Sequence, residues 1–234
     1  MKIFEKDDQE MLLEKEGFFS KTIQRRNFLQ YAGASAAGIA LVAAGCKKND
    51  TFNRGVDLGT GDIGILNYAY ALEQLEAAFY TQVALTPYTN ISSTESAYLT
   101  SIRDHEVAHR EFFKTALGPS AIIGLQVDFS SINFTSRDSV LGTAKALEDL
   151  GVSAYNGAGY LIKSADYLTL AGKIVSVEAR HAALIRDLIT PGTFVGPDVV
   201  DQNTGLETSR SPIEVLSIAK KYIVTEINAS NLPS

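Results

Sequence analysis

Glu106-Val107-Ala108-His109 and Glu178-Ala179-Arg180-His181 repeat one pattern, Glu-x-x-His, in a chain of 234 residues that contains only 3 His. Positions three apart on a helix share a face, so each copy sets a carboxylate and an imidazole over the same point. A lone Glu-x-x-His usually marks a solvated helix face. Two copies raise the question of whether their surroundings are copied as well.

They are. Ile102 precedes Glu106 by the same step as Ile174 precedes Glu178, and a second pair of segments matches upstream of each. Ala71-Leu72-Glu73-Gln74-Leu75 with Tyr80 corresponds to Ala146-Leu147-Glu148-Asp149-Leu150 with Tyr155, the Glu-to-Tyr step being identical. A duplicated helical hairpin accounts for both matches, and a pseudo-twofold axis between the copies brings the four Glu and two His together.

Helical periodicity supports four long helices. Residues 63–84 carry an apolar stripe of Ile65, Ala69, Leu72, Phe79 and Val83, with Asn67, Gln74 and Thr81 on the other side. Ser92-Ser93-Thr94-Glu95 offers N-cap chemistry for the second helix, which Gly118-Pro119 closes. Residues 120–136 read as a long link with a β-like piece at 125–129. The third helix is expected over 137–163, the fourth over 167–189 up to Thr190-Pro191-Gly192, and Ser211-Pro212 opens a short fifth reaching about residue 226. The expectation is an all-α fold: a four-helix bundle with one long crossover between helices 2 and 3, plus a short C-terminal helix.

The composition is that of an ordinary globular chain, with 45% hydrophobic and 21% charged residues and a formal net charge of -6. No basic footprint for nucleic acid is present. Residues 1–45 read as a leader: Gln24-Arg25-Arg26-Asn27-Phe28-Leu29-Gln30 precedes an uncharged, small-residue run ending at Gly45 that is too short for a good membrane span. Arg25 and Arg26 resemble the twin-arginine export motif, and Leu41-Val42-Ala43-Ala44-Gly45-Cys46 resembles a bacterial lipobox, which makes Cys46 the lipidated residue. An uncleaved membrane anchor and a cytoplasmic protein with a chance Arg-Arg are the competing readings. Cys46 is the only Cys, so an internal disulfide and a Cys-based metal site are excluded. Residues 46–61 are expected to form a flexible linker, 62–190 the bundle, and 191–234 a C-terminal loop and short helix.

Carboxylates and imidazoles in this number are the donor set of two iron or manganese ions in carboxylate-bridged helical bundles. The segment 63–189 resembles the ferritin-like superfamily, which includes bacterioferritin and rubrerythrin. Residues 146–158, Ala-Leu-Glu-Asp-Leu-Gly-Val-Ser-Ala-Tyr-Asn-Gly-Ala, together with Glu178-Ala179-Arg180-His181-Ala182-Ala183, resemble an exported bacterial ferritin-like family that includes desiccation-associated proteins. The resemblance implies metal ligands at Glu73, Glu106, His109, Glu148, Glu178 and His181, with Glu106 and Glu178 bridging and Glu73 and Glu148 terminal.

It also implies two Fe ions, with Mn as the variant, in a periplasm-facing or cell-surface oxidoreductase of ferroxidase or peroxidase type. Such a protein would handle iron, O2 or peroxide in a stress response. The other reading is a non-catalytic envelope protein that uses the bundle as a structural or interaction module. A homodimer fits either reading, whereas lipid anchors and a bulky tail obstruct a closed storage cage.

Four further residues bear on the site. Glu76 competes with Glu73, but its counterpart is Gly151, so Glu76 is expected to support the ligands or accept a hydrogen bond from a neighbouring helix. Tyr80 and Tyr155 are either hydrogen-bond donors or electron sources beside the metals, or core aromatics with satisfied hydroxyls. His105 lies about 100° round the helix from Glu106, on the surface or behind the site. Arg180 is expected to pair with a nearby carboxylate.

Overall fold

The computed structural model describes residues 55–234. Arg25, Arg26, Cys46 and most of the expected linker lie outside them. Four long helices form the bundle: α1 (Gly61–Leu85), α2 (Ser93–Leu117), α3 (Arg137–Gly159) and α4 (Ala165–Ile189). A short α5 (Pro212–Ala219) packs on α3. Helix α1 packs along α2 and α3 along α4; the two hairpins then meet through α1 on α3 and α2 on α4. Among the described residues no helix is long and apolar enough to cross a membrane.

Serine hydroxyls start α2 and α5 as the sequence implies, and α3 and α4 as well. Ser92 Oγ accepts from the Glu95 N–H, Ser136 from Ser139, Ser164 from Tyr167, and Ser211 forms a reciprocal capping box with Glu214. Thr60 stands before α1 without a side-chain cap. The first-turn Asp62 instead accepts from the Lys163 and Ser164 N–H groups at 2.8 and 2.9 Å, tying the start of α4 to the start of α1.

Several expected boundaries move. Helix α3 stops at Gly159 rather than 163, because Leu161 and Ile162 turn in against the core. Helix α5 ends at Ala219 because the chain beyond it is claimed by the crossover: Val224 N–H donates to Gln126 O, and Asp128 N–H to Tyr222 O. The β-like piece at 125–129 makes only one bridge, Val127 with Ile223, and is no strand. Nor is the chain slack as far as residue 61. Strand β1 (Val56–Asp57) pairs in parallel with β2 (Ile227–Asn228), and Leu58 is fully buried.

The polar stripe of α1 is the main correction. Asn67 and Gln74 are buried, because the crossover lies on them. Asn67 Nδ2 donates to Leu58 O and Ser120 O while its Oδ1 accepts from Ile122 N–H; Gln74 Oε1 accepts from Leu125 N–H and its Nε2 donates to Ile123 O. An irregular chain laid on a helix brings unpaired backbone groups, and the two amides satisfy them. Helix α1 is thereby buried on almost every side from Gly64 to Ala77.

The tail closes over α3 in the same way. Arg210 N–H donates to Ser153 O and its Nη1 to Ser153 Oγ. Gly157 permits the approach, since a Cβ there would lie 1.8 Å from Arg210 O. Beside it, the buried Arg186 donates to both Asp149 and Asp198, the latter in the 191–234 tail.

At one end of the bundle, Glu95 accepts from Tyr88 and from Arg137, whose guanidinium also donates to Leu188 O, so α2, α3 and α4 are clamped together. Hydrogen bonds from Arg137 hold the Glu95 carboxyl below its ordinary range. A depressed carboxyl stabilises the fold above its unfolded value and loses that contribution as pH falls. Glu95→Gln is expected to cost about 1–2 kcal/mol in urea unfolding at pH 7. The gap to the parent should close as pH drops below the ordinary Glu value of 4.5.

Candidate metal centre

Each long helix delivers its share of the centre from its inner face. Helix α1 brings Glu73, α2 brings Glu106 and His109, α3 brings Glu148, and α4 brings Glu178 and His181. All four Glu are at most 1% exposed and His181 is 4% exposed, so ionisable groups gather at one place in the core.

The six sequence-derived residues meet in two overlapping groups. One contains Glu73, Glu106, His109 and Glu178; the other contains Glu106, Glu148, Glu178 and His181, and within each the ligand atoms lie within 4.8 Å of one another. Glu106 and Glu178 belong to both groups, whereas Glu73 and Glu148 belong to one each.

The contacts cross between copies. His109 Nδ1 is 2.8 Å from Glu178 Oε1 and 3.8 Å from Glu106 in its own motif; His181 Nδ1 is 2.8 Å from Glu106 Oε1 and 3.5 Å from its own Glu178. Helices α2 and α4 are antiparallel, so the Glu of one motif faces the His of the other. The outer pair obeys the same rule: Tyr80 donates to Glu148 and Tyr155 to Glu73, each across to the other hairpin. Burial, then the neighbouring carboxylates, hold both phenols well above their ordinary range, so they act as donors.

One oxygen each of Glu73 and Glu148 is taken by a Tyr. The remaining oxygens, Glu73 Oε2 and Glu148 Oε2, both oxygens of Glu106 and Glu178, and Nδ1 of His109 and His181 are buried without a hydrogen-bond partner. The close N···O approaches lack the alignment of hydrogen bonds. Buried polar atoms left unpaired cost about 1–3 kcal/mol each, more when charged. A convergent set of eight is the donor arrangement of a cation site, and carboxylate with imidazole suits iron or manganese.

Electrostatics describe how the metal-free centre carries its charge. Burial alone would lower both imidazoles, but Glu106 and Glu178, joined by Glu73 at His109 and Glu148 at His181, push each up to about 12. Burial would raise Glu106, yet the two imidazoliums take it down to about 2. Burial, with the charges of Glu106 and Glu178, holds Glu148 up at about 8 against the pull of His181, and lifts Glu73 well above its ordinary range. The pocket thus holds protons where cations would sit.

Glu76 is buried too, and burial followed by the surrounding carboxylates raises it strongly. Its carboxylate fills the notch left by Gly151, where a Cβ would sit 3.0 Å from Glu76 Oε1. The sequence pairs Glu76 with Gly151 but does not reveal that the glycine makes room for the acid. His105 is exposed at the surface, yet its Nδ1 lies 2.9 Å from His181 Nε2, with the rings 8° from parallel. Arg180 does not meet a carboxylate; it donates to Ser176 O one turn back.

A four-helix bundle whose core gathers carboxylates and imidazoles able to hold a metal ion defines a class of helical proteins. Within it, residues 61–191, more than half of the chain, match the ferritin-like domain family, and the chain belongs to that family. A comparison with curated proteins finds no match.

Because Glu106 and Glu178 hold both imidazoles in their protonated form and burial raises the carboxyls of Glu73 and Glu148, coordination displaces protons from imidazoles and carboxyls alike. Binding of Mn(II) is expected to release more than about two protons per chain, read by calorimetry in buffers of different ionisation heat. Metal binding without proton release would contradict the imidazole assignment.

Proposed function

We propose that the chain is a carboxylate-bridged di-iron or di-manganese protein acting in iron oxidation or in O2 or peroxide detoxification. Eight convergent, unpartnered donor atoms buried in the bundle core carry this reading. Glu73 and His109 would hold one ion and Glu148 and His181 the other, with Glu106 and Glu178 shared. When bound, a pair of Fe(II) or Mn(II) ions supplies one electron each, so that an oxidant takes two electrons without release of a radical.

The protein's own groups prepare the centre. Tyr80 and Tyr155 fix the orientation of Glu148 and Glu73 by donating to one oxygen and leaving the other free. Four carboxylates balance two divalent ions with both imidazoles neutral, so the charged pocket becomes electrically closed when filled. The crossover keeps bulk water from α1 and the tail keeps it from α3, leaving the α2/α4 side, where the His109 side chain is 14% exposed, as the wetter approach.

The twin-arginine motif and the lipobox support export of a folded protein and attachment through Cys46 to the cell envelope. The tail over α3, together with that anchor, argues against a closed storage shell. A purely structural module would have no use for the eight donor atoms, which would then only destabilise it.

The full chain, purified metal-free and loaded anaerobically with Fe(II) or Mn(II), is expected to hold about two ions and to melt higher. At a free-ion level of about 100 Kd the gain is about 2.7 kcal/mol. Glu106→Gln combined with Glu178→Gln should remove both the ions and the gain, and stop O2 consumption by the Fe(II) form. Well under one ion per chain in the parent protein would sink the proposal in favour of the structural module.

A further inference from the structure

The duplicated hairpins give every ligand a counterpart, but not every neighbour of a ligand. His105 precedes Glu106 by one residue; the residue preceding Glu178 is Val177. His181 has an imidazole at its outer nitrogen, whereas the residue that the repeat relates to His105 is Val177, with an isopropyl group in place of the ring.

We propose that His105 is a positioning residue that makes the two halves of the centre unequal, so that the Glu148/His181 half takes its metal ion first and the Glu73/His109 half second. The inference rests on the dinuclear reading above and adds to it an order of occupation. The contact is direct: His105 Nδ1 to His181 Nε2 is 2.9 Å, with the ring centroids 5.2 Å apart and the planes nearly parallel. For His181 to offer the Nδ1 lone pair to a cation, its proton must sit on Nε2. That N–H then donates to His105 Nδ1, whose own proton is left on the solvent-side nitrogen.

This contact fixes both tautomer and ring plane of His181 before a cation arrives. Partners of this kind typically change metal affinity by about 10–100-fold. His109 has no such partner in Val177, and its side chain is 14% exposed against 5% for His181. A ring free to change tautomer and reached by water binds later and exchanges more readily.

Titration of the metal-free full chain with Mn(II), following free ion by electron paramagnetic resonance, tests the idea without any turnover. The parent is expected to bind in two resolved steps. His105→Val, at an exposed position that should not disturb folding, is expected to weaken the first step by about tenfold or more and leave the second in place. His105→Asn, whose side-chain oxygen can still accept from His181, should restore much of the loss. Val177→His should tighten the second step. Two parent steps that His105→Val leaves unchanged, or weakens equally, would overturn the role of His105 alone. A parent chain that binds no Mn(II) and no Fe(II) would overturn the dinuclear reading beneath it.

Discussion

Six ionisable side chains held in an apolar helical core set the terms for the rest of this structure. Taking an unpaired carboxylate out of water costs several kcal/mol even after local relaxation. Without a cation, Glu73, Glu106, Glu148 and Glu178 are tolerated only because protons on His109 and His181, and raised carboxyls at Glu73 and Glu148, reduce the charge. Such compensation works only in a dry and rigid setting, since water would release the acids from their partners. The elements outside the bundle supply that setting. The crossover and the segment carrying Leu58 cover α1, the helix that bears both Glu73 and Glu76, and the tail seals α3 through Arg210, Gly157 and Ser153.

The centre also couples the two hairpins. Each His lies closest to the Glu of the other copy, and each Tyr donates to the Glu of the other copy. Neither hairpin alone therefore places a complete group of donors. Docking of the hairpins and construction of the site are one event, so occupation of the site by a cation stabilises the bundle as a whole rather than one helix pair.

The repeat made the six central residues legible, because a twofold relation between similar sequences predicts which side chains converge. Helix starts were equally legible, as Ser92 and Ser211 carry local cap chemistry. The environment of α1 was not. Periodicity separates polar from apolar positions, but it does not say whether Asn67 and Gln74 meet water or the backbone of a chain more than forty residues away. The same limit hid the parallel pairing of residues 56–57 with 227–228, a contact between the far ends of the described chain. It also hid His105. A 100° turn from Glu106 removes that ring from the direction of its neighbour, yet only the placement of α4 reveals that it turns toward His181.

Two departures from symmetry beside the six central residues share a direction. Both extra polar groups, Glu76 and His105, come from the first hairpin, and both are received by the second: Glu76 against Gly151 and His105 against His181. Their counterparts, Gly151 and Val177, carry no charge and no hydrogen-bonding side chain. This pattern has a physical cause. An added acid in a filled core needs an emptied place opposite it, and a ring that steadies one imidazole confers a distinction only if the other imidazole goes without. A symmetric frame can therefore keep its six central residues fixed and still differentiate its halves, provided that each addition on one copy is matched by a small or apolar residue on the other. In this chain the frame supplies the centre, and the unmatched positions supply its polarity from one half to the other.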